Sequence, residues 1–225
     1  MTEVKSRLAG KSAAAVAFYA FGRSLVVGFC RVWMRLTVEG RENVPRTGAF
    51  ILAPVHRSNM DTPIAAVATR RRLRYMGKDS LWKTRASSWL LSALGGFPVS
   101  RGTIDREALS RCTVLLEAGE PLVLFPEGTR QAGPLVQPLF DGAAYLAVKA
   151  NVPIIPMGIG GSERVMAKGS KMIWPRKVHA IIGPPIFPAA SDSGRVNRQA
   201  VRDLSAELHD RLQGLFDSAQ IRAGA

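Results

Sequence analysis

Acidic residues are scarce in this chain: 17 Asp and Glu face 31 Lys and Arg, a formal net charge of +14. The imbalance implies an anionic partner, whether nucleic acid, an anionic membrane surface or a phosphorylated substrate. Aromatic residues are also few, at 7%, and no nucleic-acid-binding motif occurs, so charge alone does not select nucleic acid. Cysteine is limited to Cys30 and Cys112, in apolar helical contexts and without metal-ligand spacing. They read as buried, reduced thiols. No G-x-S-x-G elbow is present, which counts against a serine hydrolase. No unbroken apolar run reaches the ~18–20 residues of a spanning helix. Internal repeats, low-complexity tracts and linkers are missing too.

What is present describes one packed domain. A chain of 225 residues with 47% hydrophobic content can bury a sizeable core and is not disordered. Apolar runs at Leu36–Glu39, Ala49–Ala53, Leu73–Met76, Pro121–Phe125, Val152–Met157 and Lys177–Ile182 read as strands. Helical patterns separate most of them, from Asp61 to Thr69, Leu81 to Leu94, Ala108 to Ala118 and Asp141 to Ala150. A last helix, from about Val196 to Phe216, carries a core stripe of Leu204, Leu208, Leu212 and Leu215. The alternation argues an α/β fold with a central, largely parallel or mixed sheet flanked by helices.

The first residues form a segment of their own, 1–38, ahead of the domain at 39–225. Ala13 to Phe21 is apolar, Arg23 interrupts, Leu25 to Cys30 resumes, and Arg31 and Arg35 follow with Trp33 and Met34 between them. A helix lying at a membrane interface explains this mixture, with basic residues reaching anionic headgroups. A helix merely packed on the domain is the plainer alternative.

Chemistry gathers where strands end. The apolar run at Ala49–Ala53 leads through Pro54 to His56, with Asp61 five residues on. Five residues along a helix turn about 500°, so the two meet only if His56 precedes the helix and Asp61 reaches back from its first turn. Ser58 or Asn59 would cap that helix, and Asp61 suits its positive end. His56 is then a general-base candidate; otherwise the stretch is a capped helix start with an unremarkable histidine. Two further ends carry polar groups: Arg101 after a turn and short extended piece in 95–100, and Glu127, Gly128, Thr129 and Arg130 after the Pro121–Phe125 strand. Gly128 permits close backbone approach or positive φ. Arginine offers a planar fork to phosphate oxygens, and Arg101, Arg130 and Lys78 together would neutralise a phosphomonoester. Taken singly, each cation is an ordinary surface residue, and Glu127 could simply pair with Arg130.

His56…Asp61, the Gly96-to-Arg101 segment, Phe125-Pro126-Glu127-Gly128-Thr129-Arg130 and Val152-Pro153-Ile154-Ile155-Pro156 resemble the four ordered blocks of the glycerolipid acyltransferases. The nearest type is bacterial 1-acyl-sn-glycerol-3-phosphate (lysophosphatidate) acyltransferase. The blocks cover roughly residues 50–160. Val55 departs from the asparagine common before the histidine, and Pro98-Val99-Ser100 from the usual phenylalanine and isoleucine. The resemblance implies that His56 is the general base and that Asp61 fixes its tautomer and charge. It implies an acceptor site made of Arg101, Glu127, Gly128, Thr129 and Arg130, joined by Lys78. It further implies acyl transfer from acyl-CoA or an acyl-carrier protein to the sn-2 hydroxyl of lysophosphatidate, forming phosphatidate in phospholipid biosynthesis. No metal or bound cofactor is expected, nor a nucleic-acid partner. The expected location is the cytoplasmic face of the cell membrane, peripheral or monotopic. Rival readings keep the chemistry but change the acceptor to another lysophospholipid or a glycolipid, make Ser58 a nucleophile, or leave only a basic membrane-binding module.

Overall fold

The computed structural model describes residues 13–99, 106–189 and 196–225. Its strands are β1 (Thr37–Glu39), β2 (Ile51–Pro54), β3 (Arg74–Lys78), β4 (Gly96–Val99), β5 (Leu122–Val123), β6 (Ile154–Gly160) and β7 (His179–Ile182). Its helices are α1 (Ala13–Trp33), α2 (Asp61–Ala65), α3 (Arg85–Ala93), α4 (Arg106–Glu117), α5 (Gly142–Ala150), α6 (Ser162–Val165) and α7 (Arg198–Ala223). The strands form one sheet in the order β1-β7-β6-β2-β5-β3-β4. From β6 to β4 all neighbours are parallel; β7 runs antiparallel to β6, and β1 lies parallel to β7. The mixed sheet between helices is the architecture expected from the sequence.

Burial explains why β2 and β6 sit at the centre. Every residue of both strands is buried, so they are covered on both faces, as unbroken apolar runs in parallel sheets are. β2 pairs with β5 on one side and β6 on the other, which brings the loops after β2 and β5 together. That adjacency builds the site.

Helix α7 covers β6 at unusually close range. A Cβ on Gly158 would collide with the backbone carbonyl of Leu215, and one on Gly160 with that of Ala219. Backbone therefore lies against backbone, two strand residues matching four helix residues. The buried stripe of α7 runs through Leu204, Leu208, Leu212, Phe216, Ala219 and Ala223. It passes through Phe216 where the sequence suggests Leu215, and it continues past the expected end because small alanines carry it there.

Two expected helices are shorter than their patterns. The helix begun at Asp61 stops at Ala65 and gives way to tighter turns, with Val67 N donating to Ile64 O (2.9 Å) and Ala68 N to Ala65 O (3.1 Å). The stretch Leu81–Leu94 divides into a 3₁₀ turn at Asp79–Trp82 and α3. Thr84 starts α3 with a capping box: its Oγ1 accepts from Ser87 N (3.0 Å), and Ser87 Oγ accepts from Thr84 N (3.2 Å).

Helix α1 has two unlike faces. Tyr19 and Cys30 are buried, and Arg23 Nε donates to Thr69 O (2.9 Å) on the packed side. Phe21, Leu25, Phe29 and Val32 recur at helical spacing on the other side and are exposed, Val32 by 80%. The sequence shows Arg23 as a break in an apolar run, yet the fold turns that charge inward. With Arg23 and Arg31 included, Val16–Trp33 is long and apolar enough to cross a membrane.

Both cysteines are fully buried, and burial pushes each thiol up to about 12. Neither ionises near neutrality, so the native protein is expected to resist Ellman's reagent at pH 8 and to release both thiols only on unfolding. Rapid reaction of either thiol in native buffer would contradict the packing around Cys30 or Cys112.

Candidate active site

The loop after β2 carries His56, Arg57 and Ser58, and the turn into α2 brings Asp61 back beneath them. Asp61 is completely buried, and its Oδ2 accepts from Arg57 N (2.6 Å), Ser58 N (2.6 Å) and His56 Nδ1 (3.1 Å). Two backbone donors thus hold the carboxylate in place for the ring. A proton on Nδ1 shared with the carboxylate leaves the Nε2 lone pair available. No described residue bonds to Nε2, and the His56 side chain keeps 16% of its surface exposed. Its ring stacks on Phe125 of the loop after β5, centroids 4.0 Å apart and planes at 24°. The helix is not capped by Ser58 or Asn59 as the sequence suggests. Met60 is the N-cap residue and makes no side-chain cap bond, while Ser58 Oγ accepts from Met60 N (3.2 Å) and donates to Met166 O (2.8 Å). A buried hydroxyl so engaged is a poor nucleophile.

The resemblance implies an acceptor-site role for Glu127; in the structure its carboxylate is engaged within the protein. It is 1% exposed. Its Oε2 accepts from His56 N (2.8 Å), both oxygens accept from Arg57 Nη1 (2.8 and 2.9 Å), and Oε1 accepts from Gln137 N (3.1 Å). Its partner is Arg57, not Arg130. Arg57 is equally buried, donates through Nη2 to Leu135 O (2.9 Å) and lies over the Phe216 ring of α7, 4.7 Å from its centroid. The pair clips the β2 loop to the β5 loop, and Gln131 N adds a bond to His56 O (2.8 Å). Sequence reasoning missed Arg57 because arginine is rarely buried and its position beside a histidine carries no periodic signal.

The rest of the loop after β5 is open. Gly128 sits at φ 69°, a left-handed conformation, and a Cβ there would strike the Phe140 ring at 2.6 Å. Thr129 is exposed, and its Oγ1 accepts from Gln131 Nε2 (3.1 Å). Arg130 is half-buried, and its guanidinium pairs with no described residue. Lys78 closes β3, two strands from β2 at the same end of the parallel strands. Arg101 lies outside the described residues. Among the described residues, no three of His, Cys, Asp and Glu cluster as metal ligands would.

A histidine with an orienting carboxylate stands at the carboxyl ends of parallel strands, near an arginine that pairs with no described residue. The chain belongs to the acyltransferase family, whose model matches residues 35–160, more than half its length. It is 28% identical over 153 residues to the 1-acyl-sn-glycerol-3-phosphate acyltransferase of Bacillus subtilis, covering 68% of this chain and 74% of that one. Identity to the chloroplastic acyltransferase of the same name, BAT2, from Brassica napus is 27% over 159 residues, 69% of this chain. The matched region spans under half of that plant relative, 46% of its length. The fold also matches the crystal structure of the 1-acyl-sn-glycerophosphate (LPA) acyltransferase PlsC from Thermotoga maritima. There the TM-score is 0.67 and the identity 26%, over 89% of this chain and 86% of that chain.

Proposed function

We propose that this protein moves a fatty acyl group from acyl-CoA or an acyl-carrier protein to the sn-2 hydroxyl of lysophosphatidate, forming phosphatidate. The observation that carries the reading is the contact of His56 Nδ1 with buried Asp61 Oδ2, at 3.1 Å, with no described residue bonded to Nε2. The names of the relatives above support the acceptor.

In the mechanism, His56 Nε2 takes the proton of the acceptor hydroxyl as its oxygen attacks the thioester carbon. The carbon–sulfur bond then breaks from a tetrahedral oxyanion, and the imidazolium returns its proton to the leaving thiolate. Asp61 offsets the charge on the ring during that interval, as the carboxylate does in a serine-hydrolase triad. Arg130, with Lys78 and Arg101, would neutralise the acceptor phosphate, and Gly128 and Thr129 would line the approach. Glu127 acts one step removed, holding the His56 amide and Arg57.

A lipid acceptor also calls for a membrane. The exposed apolar face of α1 would lie in the cytoplasmic leaflet, held by apolar burial and by attraction of the basic protein to anionic lipid.

The decisive assay offers the purified full chain labelled acyl-CoA with lysophosphatidate, then with lysolipids lacking a phosphomonoester. Turnover confined to the phosphomonoester is the expected result; equal turnover on all acceptors would reassign the substrate. Arg130→Ala is expected to raise the acceptor KM far more than the donor KM, since a charge-assisted hydrogen bond is worth about 1.5–3 kcal/mol. Equal changes in both constants would give Arg130 to the fold or the donor.

A further inference from the structure

A second exposed apolar element lies beyond α6. Every residue from Lys171 to Lys177 is exposed, including Met172, Ile173 and Trp174 in succession, at 60%, 37% and 51%. Three adjacent large apolar residues in water are uncommon in a loop, where polar residues and turn formers normally prevail. Cations flank them on both sides: Lys168 and Lys171 before, Arg176 and Lys177 after.

The loop is held at two points, which sets where its tip can reach. Trp33 Nε1, at the end of α1, donates to Ile173 O (3.3 Å), so the loop tip continues the outward apolar face of that helix. Trp174 N donates to Val165 O (2.8 Å), and Met166 O, at the root, receives the Ser58 hydroxyl bond. Behind the loop opens a cavity of about 830 Å³, none of whose lining residues belongs to the His56 site. Four cations line it, Arg35, Arg164, Arg176 and Lys177, against a single carboxylate, Glu163, with Trp174 and Ser170 on the wall.

We propose that the Lys168–Lys177 loop is a second membrane contact, in which Met172, Ile173 and Trp174 enter the acyl-chain boundary of an anionic bilayer while the flanking cations hold headgroup phosphates. Charge complementarity selects this occupant: a protein partner for the apolar triplet alone would not call for cations on both sides and in the cavity behind. Continuity with α1 makes the two elements one surface, and Trp is suited to the boundary depth, with an apolar ring and a polar N–H. A contact placed off the axis of α1 fixes the rotation of the domain about that helix, which a single helix leaves free. The Ser58–Met166 bond then places the His56 loop at a set height above the lipid. This inference rests on the membrane-facing part of the reading above.

The test is co-sedimentation of the full chain with vesicles of phosphatidylcholine containing 30% phosphatidylglycerol, and with pure phosphatidylcholine. M172S/I173S/W174S is expected to weaken partitioning into the anionic vesicles on the order of ten-fold or more. K171Q/R176Q/K177Q is expected to weaken it on the order of ten- to hundred-fold there, and to leave the weaker binding to neutral vesicles unchanged. Because these side chains are exposed, circular dichroism should report an intact fold for both variants. A second measurement uses dibrominated lipid to quench tryptophan emission: W174F should lose a large share of the quenching seen in the native chain. Wild-type partitioning by both variants, or unchanged quenching in W174F, overturns the proposal. Binding is read without turnover, so an enzyme inactive on lysophosphatidate could still show the contact, and the two failures are distinguishable.

Discussion

His56→Ala is expected to lower kcat by on the order of 10²–10⁴-fold, the usual worth of a positioned general base. The fold should survive, because the ring is partly exposed and only one of its faces stacks, on Phe125. Asp61→Asn separates orientation from charge. The amide oxygen can still accept from Arg57 N, Ser58 N and the ring, so geometry is retained while the negative charge is lost. A comparable fall in kcat with little change in either KM would place the effect in the transition state. Near-normal turnover by folded His56→Ala would end the general-base mechanism.

Arg57→Ala is expected to remove about 3–5 kcal/mol of stability, since it strands the buried Glu127 carboxylate. At roughly 2–4 °C per kcal/mol for a domain of this size, the melting temperature should fall by on the order of 10 °C. The informative companion is Arg57→Met combined with Glu127→Met, which removes both charges and keeps volume. Stability should recover in part, because apolar packing can replace the buried pair while the backbone donors that Glu127 held stay without an acceptor. Activity should not recover, because His56 N and Gln137 N lose their acceptor and the β2 and β5 loops lose their clip. An unchanged melting temperature in Arg57→Ala would mean that the pair is not buried in solution.

The central strands were legible from apolar runs because β2 and β6 are buried on both faces and leave no polar interruptions, whereas the edge strand β4, with Gly96 and Pro98, reads only as a short extended piece. The meeting of His56 with Asp61 was legible from spacing and helix geometry. Helix ends were less so: α7 continues through Ala219 and Ala223, whose size gives little periodic signal. The direction of single charges was least legible. The apolar run around Arg23 suggests a cation reaching headgroups, and the resemblance puts Glu127 at the acceptor, yet Arg23 bonds to Thr69 and Glu127 is buried. Each finds its partner far away in the chain, at Thr69 and Arg57, and no local pattern encodes such pairings.

The glycines of β6 have a mechanical consequence. Motion between a helix and a sheet ordinarily proceeds by small slips of interlocked side chains. At Gly158 and Gly160 there is no such layer, because the carbonyls of Leu215 and Ala219 rest on the strand itself. Helix α7 and strand β6 therefore move as one body, and Phe216 carries that rigidity to Arg57. Breathing is left to the opposite flank, where α1 meets α3 through side chains. There Phe18 and Trp89 meet edge to face, centroids 4.6 Å apart, a contact that can slide without breaking a hydrogen bond.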